Sequence, residues 1–215
     1  MADLTIGKQT EGSSPHSIKE MAIRAMKSLG GSGRFGTVAD IGAGRGELSR
    51  MVSPFCQKVL MVDDFGSSEM PPNADFVKAD LNEAWAVADG SVDLAFALEV
   101  IEHIENPRHF MREMVRILRP GGHGFVSTPN ARNLFSRIIF LLKTEQRWFQ
   151  DFSYPGHITA LTEKDFRRLL DENGLELLGF YYNNSDTLPF LHWGIGLGGG
   201  LFSSSAGVLF KKKNG

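Results

Sequence analysis

Apolar residues recur at helical spacing at Ile18, Met21, Ala22, Ala25, Met26 and Leu29, which predicts an amphipathic first helix. Ser14 and Pro15 have the character of its cap and first residue, and Gly30-Gly31-Ser32-Gly33 ends it. Beyond it, short apolar runs alternate with helical patterns. Residues 37–41, 58–62 and 75–79 read as strands, and the apolar run 92–98 as a buried parallel strand. Between the first two lie a tight glycine turn at 42–46 and the start of a helix at 47–52. A further helix opens at Asn106-Pro107, carries Phe110, Met111, Met114, Val115 and Leu118 on one side, and stops at Pro120-Gly121-Gly122. Strand 124–127 comes next. Thr162 caps a later helix with Phe166, Leu169 and Leu170 on one side, ended by Asn173-Gly174. Residues 175–182 and 207–211 read as two final strands around a Gly/Ser-rich loop at 194–205.

Alternation of strand and helix predicts an α/β fold with a parallel sheet covered on both faces and right-handed connections. No internal repeat or second boundary interrupts it, so residues 1–215 are expected to form one domain behind a flexible arm at 1–13. The 215 residues carry a net charge of -2, which argues against a surface built around a nucleic-acid backbone. The single cysteine, Cys56, cannot form an intramolecular disulfide and reads as a buried thiol in a reducing compartment. The N-terminus lacks an apolar core of signal-peptide length, and the apolar run at 138–142 is far shorter than the ~20 residues that span a bilayer. A cytoplasmic protein without a transmembrane segment is expected, with peripheral membrane contact left open.

Candidate chemistry begins at Asp40-Ile41-Gly42-Ala43-Gly44-Arg45-Gly46. A glycine turn directly after a strand lets backbone approach a ligand and points helix N–H groups at it. The dinucleotide fingerprint G-x-G-x-x-G needs its third glycine at position 47, which is Glu. The spacing therefore favours a ligand without pyrophosphate and weighs against a nicotinamide oxidoreductase. Asp63 closes the second strand, where a carboxylate can accept from both ribose hydroxyls of a nucleoside, with Asp64 beside it. Asp80 closes the third, within reach of an adenine amino group. Taken singly, each acid reads as a solvated loop residue. Together they follow the C-terminal ends of successive strands, where open α/β sheets bind ligands.

Asp40 to Gly46, Asp63, Asp80-Leu81, the run from Val92 to His103 and Leu118-Arg119-Pro120-Gly121-Gly122 resemble, in order and spacing, the class I S-adenosylmethionine-dependent methyltransferases. The similarity covers roughly residues 18–182. It implies a Rossmann-like, doubly wound, seven-stranded sheet whose last strand is antiparallel. It implies S-adenosylmethionine as cofactor, with Asp40, Gly42, Ala43, Gly44 and Gly46 around the methionine moiety, Asp63 on the ribose, Asp80 and Leu81 at the adenine, and Leu98 and Glu99 near the reactive centre.

Because the sulfonium methyl is already activated, the protein has only to hold a nucleophile in line, about 3 Å away, in a dry pocket. An oxygen nucleophile also needs its proton removed. Glu99, Glu102 and His103 stand at i, i+3 and i+4, so a helical turn would place them on one face. With His157 they would make an oxygen- and nitrogen-rich divalent metal site for Mg or Zn. The pattern is similar to the ubiquinone-biosynthesis O-methyltransferases and to small-RNA 3′-terminal 2′-O-methyltransferases. Three readings stay open: the metal site, a metal-free site in which His103 is the base and Glu102 orients it, and purely structural roles.

Residues 129–160 and 183–205 depart from the alternation and are expected to cover the substrate. The first contains Leu134, Phe135, Ile138, Ile139, Leu141 and Leu142, interleaved with Arg132, Arg137, Lys143 and Arg147. Such a stretch reads as an apolar lid, or alternatively as a buried core helix or a dimer contact. Phe190, Leu191 and Trp193 make the second apolar. These features point to methyl transfer onto an oxygen of a small or lipid-like acceptor. RNA 3′-end methylation and non-catalytic S-adenosylmethionine binding are the alternatives.

Overall fold

The computed structural model describes residues 14–30, 34–67, 70–183 and 200–214. The arm at 1–13 and most of the apolar stretch at 183–205, with Phe190, Leu191 and Trp193, lie outside the described residues. Elements follow in the order α1 (His16–Ser28), β1 (Phe35–Ile41), α2 (Glu47–Val52), β2 (Cys56–Asp63), β3 (Ala74–Lys78), β4 (Val92–Leu98), α3 (Pro107–Ile117), β5 (Leu118–Pro129), α4 (Leu134–Lys143), α5 (Glu163–Glu172), β6 (Leu175–Tyr182) and β7 (Ser205–Lys212).

The seven strands form one sheet in the order β3-β2-β1-β4-β5-β7-β6. Strands β1 to β5 pair in parallel, and β7 runs antiparallel to both neighbours. Strand order reverses between β1 and β4, which places the ligand-binding crevice of an open α/β sheet at their C-terminal ends. The expected architecture is therefore present, with the last strand in sequence as the antiparallel one.

Burial explains the layers. In β4, Val92, Ala95 and Ala97 face one core, and Leu94, Phe96 and Leu98 face the other. The first core takes Phe110, Met111 and Met114 of α3 and Phe166 and Leu170 of α5; the second takes Ile18, Met21 and Ala25 of α1 and Leu48 of α2. Asn106 caps α3 by accepting from the His109 N–H, and Thr162 and Asp165 form a reciprocal capping box on α5. Cys56 is buried, with its thiol against the Val52 carbonyl.

Three local expectations need correction. Pro15 precedes helix α1 rather than entering it, its carbonyl accepting from the Ile18 N–H. The Pro120-Gly121-Gly122 segment does not separate helix from strand. Strand β5 starts at Leu118, which is buried opposite Val92, and the register then shifts so that His123 faces Leu94. Gly121, at φ 74°, absorbs the irregularity. Finally, 134–143 is a helix but not a core helix. Ser136 is its one buried residue, and Ile138, Phe140, Leu141 and Leu142 are exposed.

Candidate active site

A cavity of about 610 Å³ opens over the C-terminal ends of β1, β2 and β4. Its wall contains Asp40, Gly42, Ala43, Gly44, Asp63, Asp64, Asp80, Leu81, Leu98, Glu99, Glu102, His103 and His157, so nearly every residue singled out from the sequence meets in one place. Gly46 stands behind the wall. It ends the turn at φ 78°, donating to the Ala43 carbonyl, and accepts the first N–H of α2 from Arg50.

The turn has a physical reason to be glycine. Gly42 sits at φ 73°, and a Cβ there would lie 2.4 Å from Val100 Cγ2. Across the turn, the Gly44 N–H donates to Asp63 Oδ2 at 2.8 Å and the Phe65 N–H to Asp63 Oδ1 at 3.0 Å. Each carboxylate oxygen keeps a further lone pair for a ligand hydroxyl. Asp40 is buried behind the turn, its Oδ2 accepting from Ser49 Oγ at 2.6 Å. Burial pushes its carboxyl up to about 6, against the lowering effect of that hydrogen bond. Asp64 is also pushed up to about 6, by burial first and then by Asp63. A cavity of this size, with a glycine cradle at one end and strand-end carboxylates along its floor, fits a nucleoside carrying an amino-acid arm.

Beyond the cradle the chain takes a strained step. Glu99 adopts φ 55°, a left-handed conformation uncommon for a side-chain-bearing residue. Ser127 Oγ donates to its Oε1 at 2.8 Å and Ser205 Oγ to its Oε2 at 3.1 Å. Burial pushes Glu99 up to about 7, partly offset by these two hydroxyls. A single 3-10 turn, Ile101–His103, follows.

His103 Nδ1 lies 2.7 Å from the Gly156 carbonyl oxygen and His157 Nδ1 lies 2.7 Å from that of Trp148. A carbonyl only accepts, so both Nδ1 atoms carry a proton and Nε2 is the nitrogen each ring has left to offer a ligand. Burial holds His103 below its ordinary value; the Gly156 carbonyl opposes this and His157 adds to it. Glu102 is fully buried, and neither of its oxygens has a hydrogen-bond partner. Burial first, and then Glu99, raises its carboxyl well above the usual range. Thr128 Oγ1 eases the charged form only by proximity, since it too makes no formed hydrogen bond.

One ligating atom each from Glu102, His103 and His157 lies within 4.8 Å of the others. The expected four-residue metal set thus reduces to three, because the two serines hold the Glu99 carboxylate. Two imidazoles and an orphaned buried carboxylate are a donor set that fits a divalent cation.

The sequence reading missed Ser127 and Ser205, whose role needs β5 and β7 paired. It also missed Lys19. This residue of α1 lines the cavity, is 4% exposed, and pairs with Glu47 across the glycine turn. Its ammonium is lowered by burial first and by Arg50, with Asp40 opposing.

The methyltransferase-domain family profile matches residues 16–179. The ubiquinone biosynthesis O-methyltransferase of Cupriavidus pinatubonensis is 30% identical over 161 residues, covering 68% of this chain and 64% of the relative. The chain thus spans less than two thirds of that relative's length. A chain of the Haloferax volcanii complex between the Trm112 methyltransferase activator and a putative methyltransferase superposes with a TM-score of 0.68 at 15% identity, covering 97% of this chain and 96% of that one. The Burkholderia thailandensis 1,6-didemethyltoxoflavin-N1-methyltransferase, solved with S-adenosylhomocysteine, gives a TM-score of 0.64 at 15% identity and covers 93% and 79%. These two likenesses concern the fold.

Proposed function

The chain belongs to the methyltransferase-domain family, and from that premise we propose that it is an S-adenosylmethionine-dependent methyltransferase whose acceptor is an oxygen of a small or lipid-like molecule. The observation that carries the oxygen acceptor is the His103 ring. Its Nδ1–H is fixed on Gly156, it is kept neutral by burial, and its bare Nε2 stands in the cavity wall. Such a nitrogen is poised to take the proton of an acceptor hydroxyl. The name of the ubiquinone-biosynthesis relative agrees with this acceptor class.

Bound S-adenosylmethionine supplies an activated sulfonium methyl. The chain's own groups do the rest. Asp63 holds the ribose hydroxyls, the turn at Gly42 and Gly44 closes backbone on the amino-acid arm, and Asp80 and Leu81 meet the adenine. Glu99, locked by Ser127 and Ser205, shapes the wall beside the reacting centre, while Leu98, Ile104 and Trp148 exclude water. The segment 129–160 covers the acceptor side through Pro129, Trp148 and His157. The reaction takes place in the cytoplasm, in keeping with the lone buried thiol of Cys56. Among the described residues no helix is long and apolar enough to cross a membrane.

The orphaned Glu102 carboxylate favours a second reading in place of the free base: His103 Nε2 would join Glu102 and His157 in holding a divalent cation, which would lower the pKa of an acceptor hydroxyl and orient it.

The test is incubation with methyl-labelled S-adenosylmethionine and fractionated cell extract, with and without chelator. Label in an O-methylated small molecule or lipid supports the proposal, and loss of transfer in chelator restored by Mg²⁺ or Zn²⁺ supports the cation. Label in the 3′ end of RNA, or on nitrogen or carbon, overturns the acceptor assignment. Full activity in chelator removes the cation.

A further inference from the structure

Among the described residues, helix α4 is held at its N-terminal end. Its cap Asn133 accepts from the Ser136 N–H at 2.7 Å and donates to the Ser203 carbonyl, and the Leu134 N–H donates to the Leu201 carbonyl at 2.7 Å. The C-terminal half leaves the body of the protein. Leu141 is 80% exposed and Leu142 79%, with Ile138 and Phe140 also in the open. Adjacent residues on a helix point about 100° apart, so two neighbouring leucines this bare mean the last turn projects on more than one side. Apolar residues scattered singly over a surface need no explanation; four large ones on one projecting end do.

The charge around them is equally uneven. Residues 131–147 carry Arg132, Arg137, Lys143 and Arg147 against one carboxylate, Glu145, in a chain whose net charge is -2. Arg137 and Lys143 are exposed beside the leucines.

We propose that the C-terminal half of α4 is a docking surface for an anionic lipid bilayer, with Ile138, Phe140, Leu141 and Leu142 entering the headgroup–acyl boundary and Arg137 and Lys143 meeting lipid phosphates. Apolar side chains flanked by cations on one helix are what in-plane insertion requires. A second copy of the chain is a poorer occupant, because a two-fold interface on this patch would gather the four cations of both copies with only one carboxylate from each to offset them.

Docking does not depend on the methyl-transfer reading, but that reading gives it a use. The Arg147 guanidinium stacks over Phe135 of α4, 5.7 Å from the ring centroid, and over Trp148, 4.7 Å away, and Trp148 lines the cavity. The first turn of α4 is thus joined to the cavity wall through Arg147 and Trp148, and docking by the far end of the same helix would hold that wall near a bilayer that carries a lipid-like acceptor.

Flotation of the full chain with phosphatidylcholine vesicles, with and without phosphatidylglycerol, tests the proposal, while calorimetry with S-adenosylhomocysteine reports the cofactor site of every variant. The expected result is binding to the phosphatidylglycerol vesicles that weakens with salt. It should fall roughly tenfold or more in L141E/L142E and in R137E/K143E, with cofactor binding unchanged, because each pair removes one of the two contributions such a surface needs. Four results would each overturn it: no binding to the anionic vesicles, equal binding by L141E/L142E, equal binding by R137E/K143E, or a solution dimer of the parent chain that L141E/L142E abolishes. Vesicle binding without any S-adenosylhomocysteine binding would leave the docking surface standing and sink the reading of the cavity instead.

Discussion

The Gly44 amide donates to Asp63 Oδ2 at 2.8 Å, tying the glycine turn after β1 to the carboxylate that closes β2. One acid therefore braces the cradle and still has lone pairs for ribose hydroxyls. Asp63→Ala removes both functions, and charge-assisted hydrogen bonds contribute about 1.5–3 kcal/mol each, so S-adenosylhomocysteine affinity should fall about a hundredfold. Asp63→Asn keeps one acceptor oxygen and should lose less. Calorimetric titration of both variants checks this; an affinity for Asp63→Ala within about threefold of the parent would remove Asp63 from the ribose site.

Lys19 bears on the other end of the ligand. It reaches the cavity from α1, its ammonium paired with Glu47 and close enough to Asp40 to feel that charge. A buried cation beside the glycine cradle is placed to take a ligand carboxylate in exchange for its present partner. Lys19→Met keeps the apolar stem and deletes the charge. The variant should bind S-adenosylhomocysteine roughly tenfold or more weakly. It should bind 5′-methylthioadenosine, which lacks the amino-acid arm, as the parent does. Equal losses for both ligands would mean that Lys19 supports the fold of the site rather than the carboxylate.

The turn, the strand-end acids and the sheet are legible in the sequence because each is a local pattern. Strand Val92–Leu98 is read to the residue, since a run that is apolar apart from Asp93 and bounded by Ser91 and Glu99 has few ways to be buried. What is not legible depends on distant partners. A lone Lys19 on a helix reads as a solvated residue until Glu47, 28 positions away, is brought against it. The spacing of Glu99, Glu102 and His103 suggests one face, but φ 55° at Glu99 turns its carboxylate to Ser127 and Ser205 and leaves Glu102 with the histidines. In the same way, Pro120-Gly121-Gly122 reads as a break, yet Leu118 is drawn into the sheet opposite Val92.

His103 carries the sharpest kinetic prediction. With Nδ1 anchored on Gly156, Nε2 is its one free nitrogen. His103→Gln can keep a donor toward Gly156 but has no basic nitrogen. Transfer to an oxygen acceptor should fall about 10²- to 10⁴-fold, the range for a lost general base, while S-adenosylhomocysteine affinity stays within about threefold. Labelled-methyl transfer and calorimetry on the same preparation separate the two quantities. Transfer unchanged in His103→Gln would show that the acceptor needs no base from this residue.

Asp40 makes the interior of the cradle sensitive to pH. Its carboxyl is pushed up to about 6 by burial, from an ordinary value of 3.8. Between these two values the folded state holds a proton that the unfolded state has released. Stability contributed here is therefore greatest at acid pH, declines as pH rises through about 4 to 6, and stays low above that. The loss amounts to at most about 3 kcal/mol, at about 1.4 kcal/mol per pH unit of displacement. Asp40→Asn cannot ionise and its amide oxygen can still accept from Ser49 Oγ. Any cost of the new amide group is the same at every pH, so the informative quantity is how the difference between variant and parent changes. That difference should move in favour of Asp40→Asn by about 2–3 kcal/mol between pH 4 and pH 7, or roughly 4–12 °C in Tm for a chain of this length. Thermal unfolding of both proteins across that range measures it. A difference that does not change with pH would mean that Asp40 is already ionised in the folded protein at pH 4, and that Lys19 and Ser49 hold its charge at no net cost.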